Sequence, residues 1–139
     1  MTLKQSEHAT TERRQPWLKW FPGDWRGDER LRRCGLAARG FWAECIGVMH
    51  KATPYGHLLI DGQAPDEKTL AREFATTAGE VRRCLSELGK HGVYSTTPEG
   101  VIFSRRMVRD ERRRQASIFH RLRNRYRRNI YFIRPLACR

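Results

Sequence analysis

Hydrophobic positions fall on a helical period in three stretches of this chain, and turn residues separate them. Along Leu36 to Ala52, the residues Ala38, Phe41, Trp42, Cys45, Met49 and Ala52 keep helical spacing, and Ile46 widens the stripe. Pro54-Tyr55-Gly56 breaks that pattern, Leu58-Leu59-Ile60 is a short strand candidate, and Asp61-Gly62 turns the chain. A second helix is marked by Leu70, Ala71 and Phe74 on one face, and a third by Val81, Cys84, Leu85 and Leu88 at i, i+3, i+4 and i+7. Ala75 to Ala78 is the turn between them. Thr77 and Glu80 have the spacing of a capping box, which starts the third helix near Ala78. Gly89 and Gly92 are expected to end it. Val93 to Thr96 and Val101 to Ser104 then favour strand on either side of Thr97-Pro98-Glu99-Gly100, which has turn chemistry. The predicted order is helix, strand, helix, helix, strand, strand. It describes a mainly α fold with a small antiparallel sheet, a winged helix-turn-helix in which the isolated strand pairs onto the hairpin.

The flanks of this pattern are different in kind. Residues 1–15 are polar and aperiodic, and are expected to be a flexible N-terminus. Trp17, Trp20, Phe21 and Trp25 follow, an aromatic group interrupted by Pro22-Gly23 and therefore not expected to form one regular element. Interleaved with Lys19 and Arg26, these rings could stack on single-stranded bases. The preferred reading is that they cover one side of the core, since aromatic side chains supply much of the apolar area in a small domain. At the other end, Ile118, Leu122, Tyr126 and Ile130 recur every four residues, joined by Phe119 and Ile133. Arg121, Arg123, Arg125, Arg127 and Arg128 fill the gaps until Pro135. This stretch is read as an amphipathic helix that is an arm along DNA phosphates, a membrane-surface helix or a partner-binding helix, or else as a tail whose periodicity is accidental. The expected organisation is thus residues 1–15 flexible, 16–109 a winged-helix domain including the aromatic segment, and 110–139 a basic helix or tail.

A length of 139 residues leaves room for one domain. The formal charge is +13, and its placement changes the picture more than its size. From Met1 to Ser104, 15 Lys and Arg stand against 13 Asp and Glu, a balance of +2. From Arg105 to Arg139, 13 Arg stand against Asp110 and Glu111, a balance of +11. A polyanionic partner follows from the arginine-rich end. The four cysteines, Cys34, Cys45, Cys84 and Cys138, are widely spaced with no Cys-x-x-Cys, which predicts reduced thiols in a cytosol. No apolar run approaches the roughly 18 residues of a membrane span, and no signal-peptide segment opens the chain. A soluble cytoplasmic protein without a membrane partner is expected. Asp24, Asp28 and Glu29 lack the further oxygen ligands of a hard-metal site. His50, His57, His91 and His120 lack metal-ligand spacing, and no phosphate loop, nucleophile elbow or zinc-protease motif occurs. Neither a catalytic constellation nor a metal or cofactor site is expected, so the chain reads as a non-enzyme.

With Val81, Cys84, Leu85 and Leu88 turned inward, helical geometry places Gly79, Arg83, Ser86 and Lys90 on the opposite face, with Arg82 beside them and Glu80 and Glu87 at the flanks. Such a small, polar, basic face suits the major groove of double-stranded DNA, where guanidinium and ammonium groups donate to guanine O6 and N7 or to phosphates, and it equally fits an ordinary solvated helix face. Thr77 at the helix start, Arg105 and Arg106 after the hairpin, and Arg112, Arg113 and Arg114 complete the candidate DNA contacts. The wing tip, by contrast, carries Glu99 and no cation.

Four segments also carry a resemblance: Trp17-Leu18-Lys19-Trp20-Phe21-Pro22-Gly23-Asp24-Trp25, Ala38-Arg39-Gly40-Phe41-Trp42, Leu70-Ala71-Arg72, and Gly100-Val101-Ile102-Phe103-Ser104-Arg105-Arg106-Met107. In this order they resemble the N-terminal domains of phage and prophage replication-organiser proteins, over about residues 17–115. The resemblance implies a winged helix and a role in DNA binding or primosome assembly during phage replication. After Gln115 the chain departs from that family, whose members commonly continue into a Lys-, Gly- and Asn-rich linker. Three functions are carried forward. The first is a DNA-binding protein in replication initiation. The second is an adaptor that uses the same fold to recruit a helicase or other replication protein. The third is a transcriptional regulator.

Overall fold

The structure, a computed structural model, describes residues 16–130, with side chains described as far as Arg127. The expectations for residues 1–15, for Ile133 and Pro135, and for Cys138 lie outside the described residues. The elements are α1 (Pro22–Gly27), α2 (Glu29–Arg32), α3 (Leu36–Lys51), α4 (Glu67–Glu73), α5 (Ala78–Lys90), β1 (Ser95–Thr96), β2 (Ile102–Phe103) and α6 (Arg105–Ile130). The chain is mainly helical, with one small antiparallel sheet in which Ser95 pairs with Phe103 and Thr96 with Ile102.

The core forms where α5 packs on both α3 and α4. Ala38, Phe41, Trp42, Cys45 and Met49 of α3 meet Leu70 and Ala71 of α4 and Val81, Cys84 and Leu88 of α5, all of them buried. Phe74, the C-cap of α4, sets its ring edge-on to Phe41 at 5.2 Å. The third-helix stripe expected from the sequence is therefore present, with one shift: Leu85 lies on its margin, half-buried against the cluster, while Val81 and Leu88 are fully enclosed.

Polar side chains fix the helix starts by satisfying backbone N–H groups that have no partner within the helix. Asp28 Oδ1 accepts from Arg30 N and Leu31 N at 3.0 and 3.1 Å, and Asp66 Oδ1 accepts from Thr69 N at 2.7 Å. The Thr69 hydrogen bonds hold the Asp66 carboxyl below its ordinary range. Thr77 Oγ1 accepts from Glu80 N at 3.2 Å, so α5 begins where the capping box placed it. The Glu80 carboxylate turns to Arg83 Nη2. Glu87, expected to flank the basic face, instead reaches back from α5 to accept from Gly35 N at 2.5 Å, at the start of α3.

Three expectations are corrected. Gly89 does not end the third helix: α5 runs on to Lys90, and the chain turns at Gly92 with φ +67. Gly89 is instead a point of close packing, because a Cβ there would sit 2.8 Å from Tyr94 Oη. Leu58-Leu59-Ile60 makes no ladder. Leu58 N donates to Ile102 O at 2.8 Å and His57 bridges to Phe103, but Ile60 bridges back to Gln63, which peels the segment away from the two-residue β2. Pro22-Gly23 does break the aromatic group, as expected: Trp17, Trp20 and Phe21 precede α1 and only Trp25 lies within it. Pro22 occupies the first turn of α1, where its missing N–H costs nothing. Finally, the aromatic segment covers the core only through Leu18 and Trp25, while Trp17, Trp20 and Phe21 remain 58%, 43% and 43% exposed. Trp20 is held away from the core by packing on Trp25 instead, with ring centroids 4.6 Å apart.

Helix α6 is anchored at its start. Ser104 N donates to Gly56 O at 2.9 Å, and Met107 is buried. Gly56 has φ +83, and a Cβ on it would lie 3.0 Å from both Met107 Cβ and Val108 Cγ2, so the turn it forms admits α6 only because it is glycine. From there α6 continues without a break through Arg109 and Asp110 for 26 residues, about 39 Å at 1.5 Å per residue. From Arg112 to Arg127 every residue is exposed.

Candidate nucleic-acid interface

Because Val81, Cys84 and Leu88 point inward, α5 turns Gly79, Arg82, Arg83, Ser86 and Lys90 to solvent, and all five are exposed. The turn from Phe74 to Thr77, with Ala75 at φ +51, sets α4 across the start of this helix. Thr77 is occupied as the N-cap. Two of the basic side chains are already paired. Arg82 Nε and Nη2 donate to the Glu67 carboxylate of α4 at 3.2 and 2.6 Å, and these bonds push the guanidinium pKa up. Arg83 pairs with Glu80. Their side chains are nonetheless 68% and 70% exposed. Ion pairs this open are weak and screened by salt, and a bidentate contact to a base edge competes with them. A nucleic acid can therefore recruit these guanidiniums from their carboxylates.

The remaining candidates divide into two kinds. Arg105 folds back along the surface, donating from Nη1 to Ser95 Oγ at 2.8 Å and from Nη2 to Gly92 O at 2.6 Å. It ties the base of α6 to the end of α5 and to β1, and so works as a brace. Arg106 donates to Asp24 Oδ2 at 2.7 Å and lies over the Phe21 ring, joining α6 to α1. Arg114 is held by Glu111 at 2.7 and 2.8 Å. Arg112 and Arg113 project to solvent from α6, followed along the same helix by Arg121, Arg123, Arg125 and Arg127. No Asp or Glu follows Glu111 in the sequence. The exposed part of α6 is thus a one-sign helix with an apolar edge of Phe119, Leu122 and Tyr126.

Two features escaped sequence reasoning. One is the pairing of Arg82 with Glu67, which lies 15 residues away and depends on the crossing of α4 and α5. The other is a groove of about 860 Å3 between the aromatic segment, α3 and the first turns of α6. Its only signal in the sequence was the run of Trp17, Trp20 and Phe21 without helical period. Among the described residues no cluster of His, Cys, Asp or Glu could hold a metal ion, and no helix is long and apolar enough to cross a membrane. The described cysteines Cys34, Cys45 and Cys84 are free and buried, and desolvation raises the pKa of each thiol. No family model, curated protein or solved structure matches this chain.

Proposed function

We propose that this chain is a non-enzymatic DNA-binding protein of winged helix-turn-helix type, with α5 as the reading helix and α6 as a phosphate-binding arm. The observation that carries the proposal is the outward face of α5. All five positions of that face are exposed and none carries a large apolar side chain, on a helix whose other side is locked into the core. Gly79 allows close approach at the helix start, Arg83 and Lys90 supply donors to base edges or phosphates, and Ser86 adds a small polar contact. The arginines of α6 add attraction that is independent of sequence. The likeness to phage replication-organiser domains favours replication initiation as the setting, with transcriptional regulation as the alternative, and both place the protein in the cytoplasm with its thiols reduced.

The adaptor reading is favoured by a separate observation. The wing tip has no cation, and the edge of α6 presents Phe119, Leu122 and Tyr126 at 68%, 57% and 71% exposure, more apolar surface than a phosphate arm needs. Fluorescence anisotropy of labelled duplexes over a salt series separates the two. The described residues 116–127 are all exposed and none belongs to the core cluster, so a chain ending at Gln115 should keep its fold. Its duplex affinity should fall for all sequences alike, and its log–log salt slope should flatten by roughly 0.9 for each phosphate that the arm had neutralised. Arg83→Ala with Lys90→Ala should instead reduce discrimination between a preferred site and random DNA. If the shortened chain binds no duplex even at about 50 mM salt, where screening is weak, the adaptor reading replaces this one.

A further inference from the structure

We infer that the groove between the aromatic segment and α6 binds single-stranded nucleic acid by base stacking, a site separate from the duplex-reading face of α5. Large aromatic side chains in a small domain ordinarily sink into its core. Here Trp25 packs against the core, while Trp17 and Trp20 stand at the groove with 58% and 43% of their surface in solvent. Trp20 rests against Trp25 at 4.6 Å, which steadies the ring without burying it. An indole held this way, with Trp17 lining the same groove, is a stacking platform.

The charges around them suit a polyanion. Four carboxylates line the groove, and each is already engaged. Asp24 accepts from Arg106, Asp28 caps α2, Asp110 lies 3.5 Å from Arg109, and Glu111 accepts from Arg114. On the cationic side, Lys19 Nζ sits 4.9 Å from the centre of the Phe21 ring, beside the two indoles. Neither Lys19 nor Arg113 has a carboxylate partner among the described residues, and both line the groove. The lining therefore offers π-faces for bases and unneutralised cations for phosphates, the pairing that a single strand presents and a duplex, with its bases stacked inside, does not. A purely apolar peptide would find this rim too charged.

The test uses the full chain and three labelled probes: an oligothymidine of about 12 nucleotides, an abasic strand of the same length, and a duplex. Abasic strands keep the phosphates and lack the stacking faces. Trp17→Ala and Trp20→Ala should each weaken oligothymidine binding about thirtyfold, the middle of the range for one stacked base. Binding of the abasic strand and the duplex should stay unchanged, and Trp20→Phe should recover much of the loss. Oligothymidine should also quench tryptophan fluorescence where the abasic strand does not. Equal affinity for oligothymidine and the abasic strand would mean that the arginines of α6 alone hold single strands, and would overturn the inference. So would unchanged oligothymidine binding in both Trp variants. Binding of an acidic peptide in preference to oligothymidine would reassign the groove to a protein partner. Failure of the α5 proposal appears instead in the duplex arm, through Arg83 and Lys90.

Discussion

Replacing a helical glycine with alanine normally stabilises a helix, by up to about 1 kcal/mol in its interior. Gly89→Ala should do the opposite. A Cβ at position 89 would lie 2.8 Å from Tyr94 Oη and 3.3 Å from the ring carbon that bears it. Tyr94 has little freedom to yield, because its hydroxyl donates to Leu85 O at 3.1 Å and its ring stacks on Trp42 at 6.2 Å. Moving the ring forfeits a hydrogen bond worth about 0.5–1.5 kcal/mol and adds overpacking of about 1–3 kcal/mol. Against the helical gain, the net result is a loss of about 0.5–3.5 kcal/mol. Denaturant unfolding followed by tryptophan fluorescence measures it, and near-UV circular dichroism should report the disturbed Trp42–Tyr94 pair. The decisive comparison is the double variant with Tyr94→Phe. With the hydroxyl gone, the 3.3 Å approach needs only a few tenths of an ångström of relief. Gly89→Ala should then be nearly neutral or stabilising, a coupling of at least about 0.5 kcal/mol. A Gly89→Ala variant more stable than the parent, or equally destabilised in both backgrounds, would refute this packing.

Leu88→Ala should cost about 2–5 kcal/mol in a thermal or denaturant melt, because Leu88 is fully enclosed, whereas Leu85→Ala at the margin of the core should cost under about 2 kcal/mol. Gly56→Ala should destabilise the protein and loosen the start of α6, seen as reduced hydrogen-exchange protection around Met107 and Val108, since the new Cβ meets both while its backbone stays at positive φ. The Asp66 carboxyl titrates below its ordinary range in the folded chain, so its contribution is present above that range and disappears as the pH falls through the folded value. Asp66→Asn, which keeps an acceptor for Thr69 N but cannot ionise, should flatten the decline of stability below about pH 4. An unchanged acid limb would contradict that origin.

Much of the helical architecture was legible because burial and period coincide. Ala38 through Met49 and Val81 through Leu88 face inward as their spacing requires, and Thr77 caps α5 where the capping box put it. What stayed hidden depends on distant partners. Gly89 looks like a stop signal until Tyr94 is known to press on it, and Glu87 looks like a solvated flank until Gly35 is found beneath it. The outward face of α5 followed from rotation alone. The occupation of Arg82 by Glu67, the pairing of Arg105 with Ser95 and Gly92 and the exposure of Trp17 and Trp20 did not, because each is set by how elements cross. The arginines of α6 were visible as charge, while their separation from the core along one unbroken helix was a matter of where α6 is anchored.

The most direct test of α5 as the DNA-reading helix is a backbone amide NMR titration of the full chain with a short DNA duplex. The largest shifts should fall on Gly79, Arg82, Arg83, Ser86 and Lys90 of α5, with smaller salt-sensitive shifts along α6 beyond Arg112. Shifts confined to α6, or centred on Trp17 to Trp25 with α5 silent, would contradict that assignment.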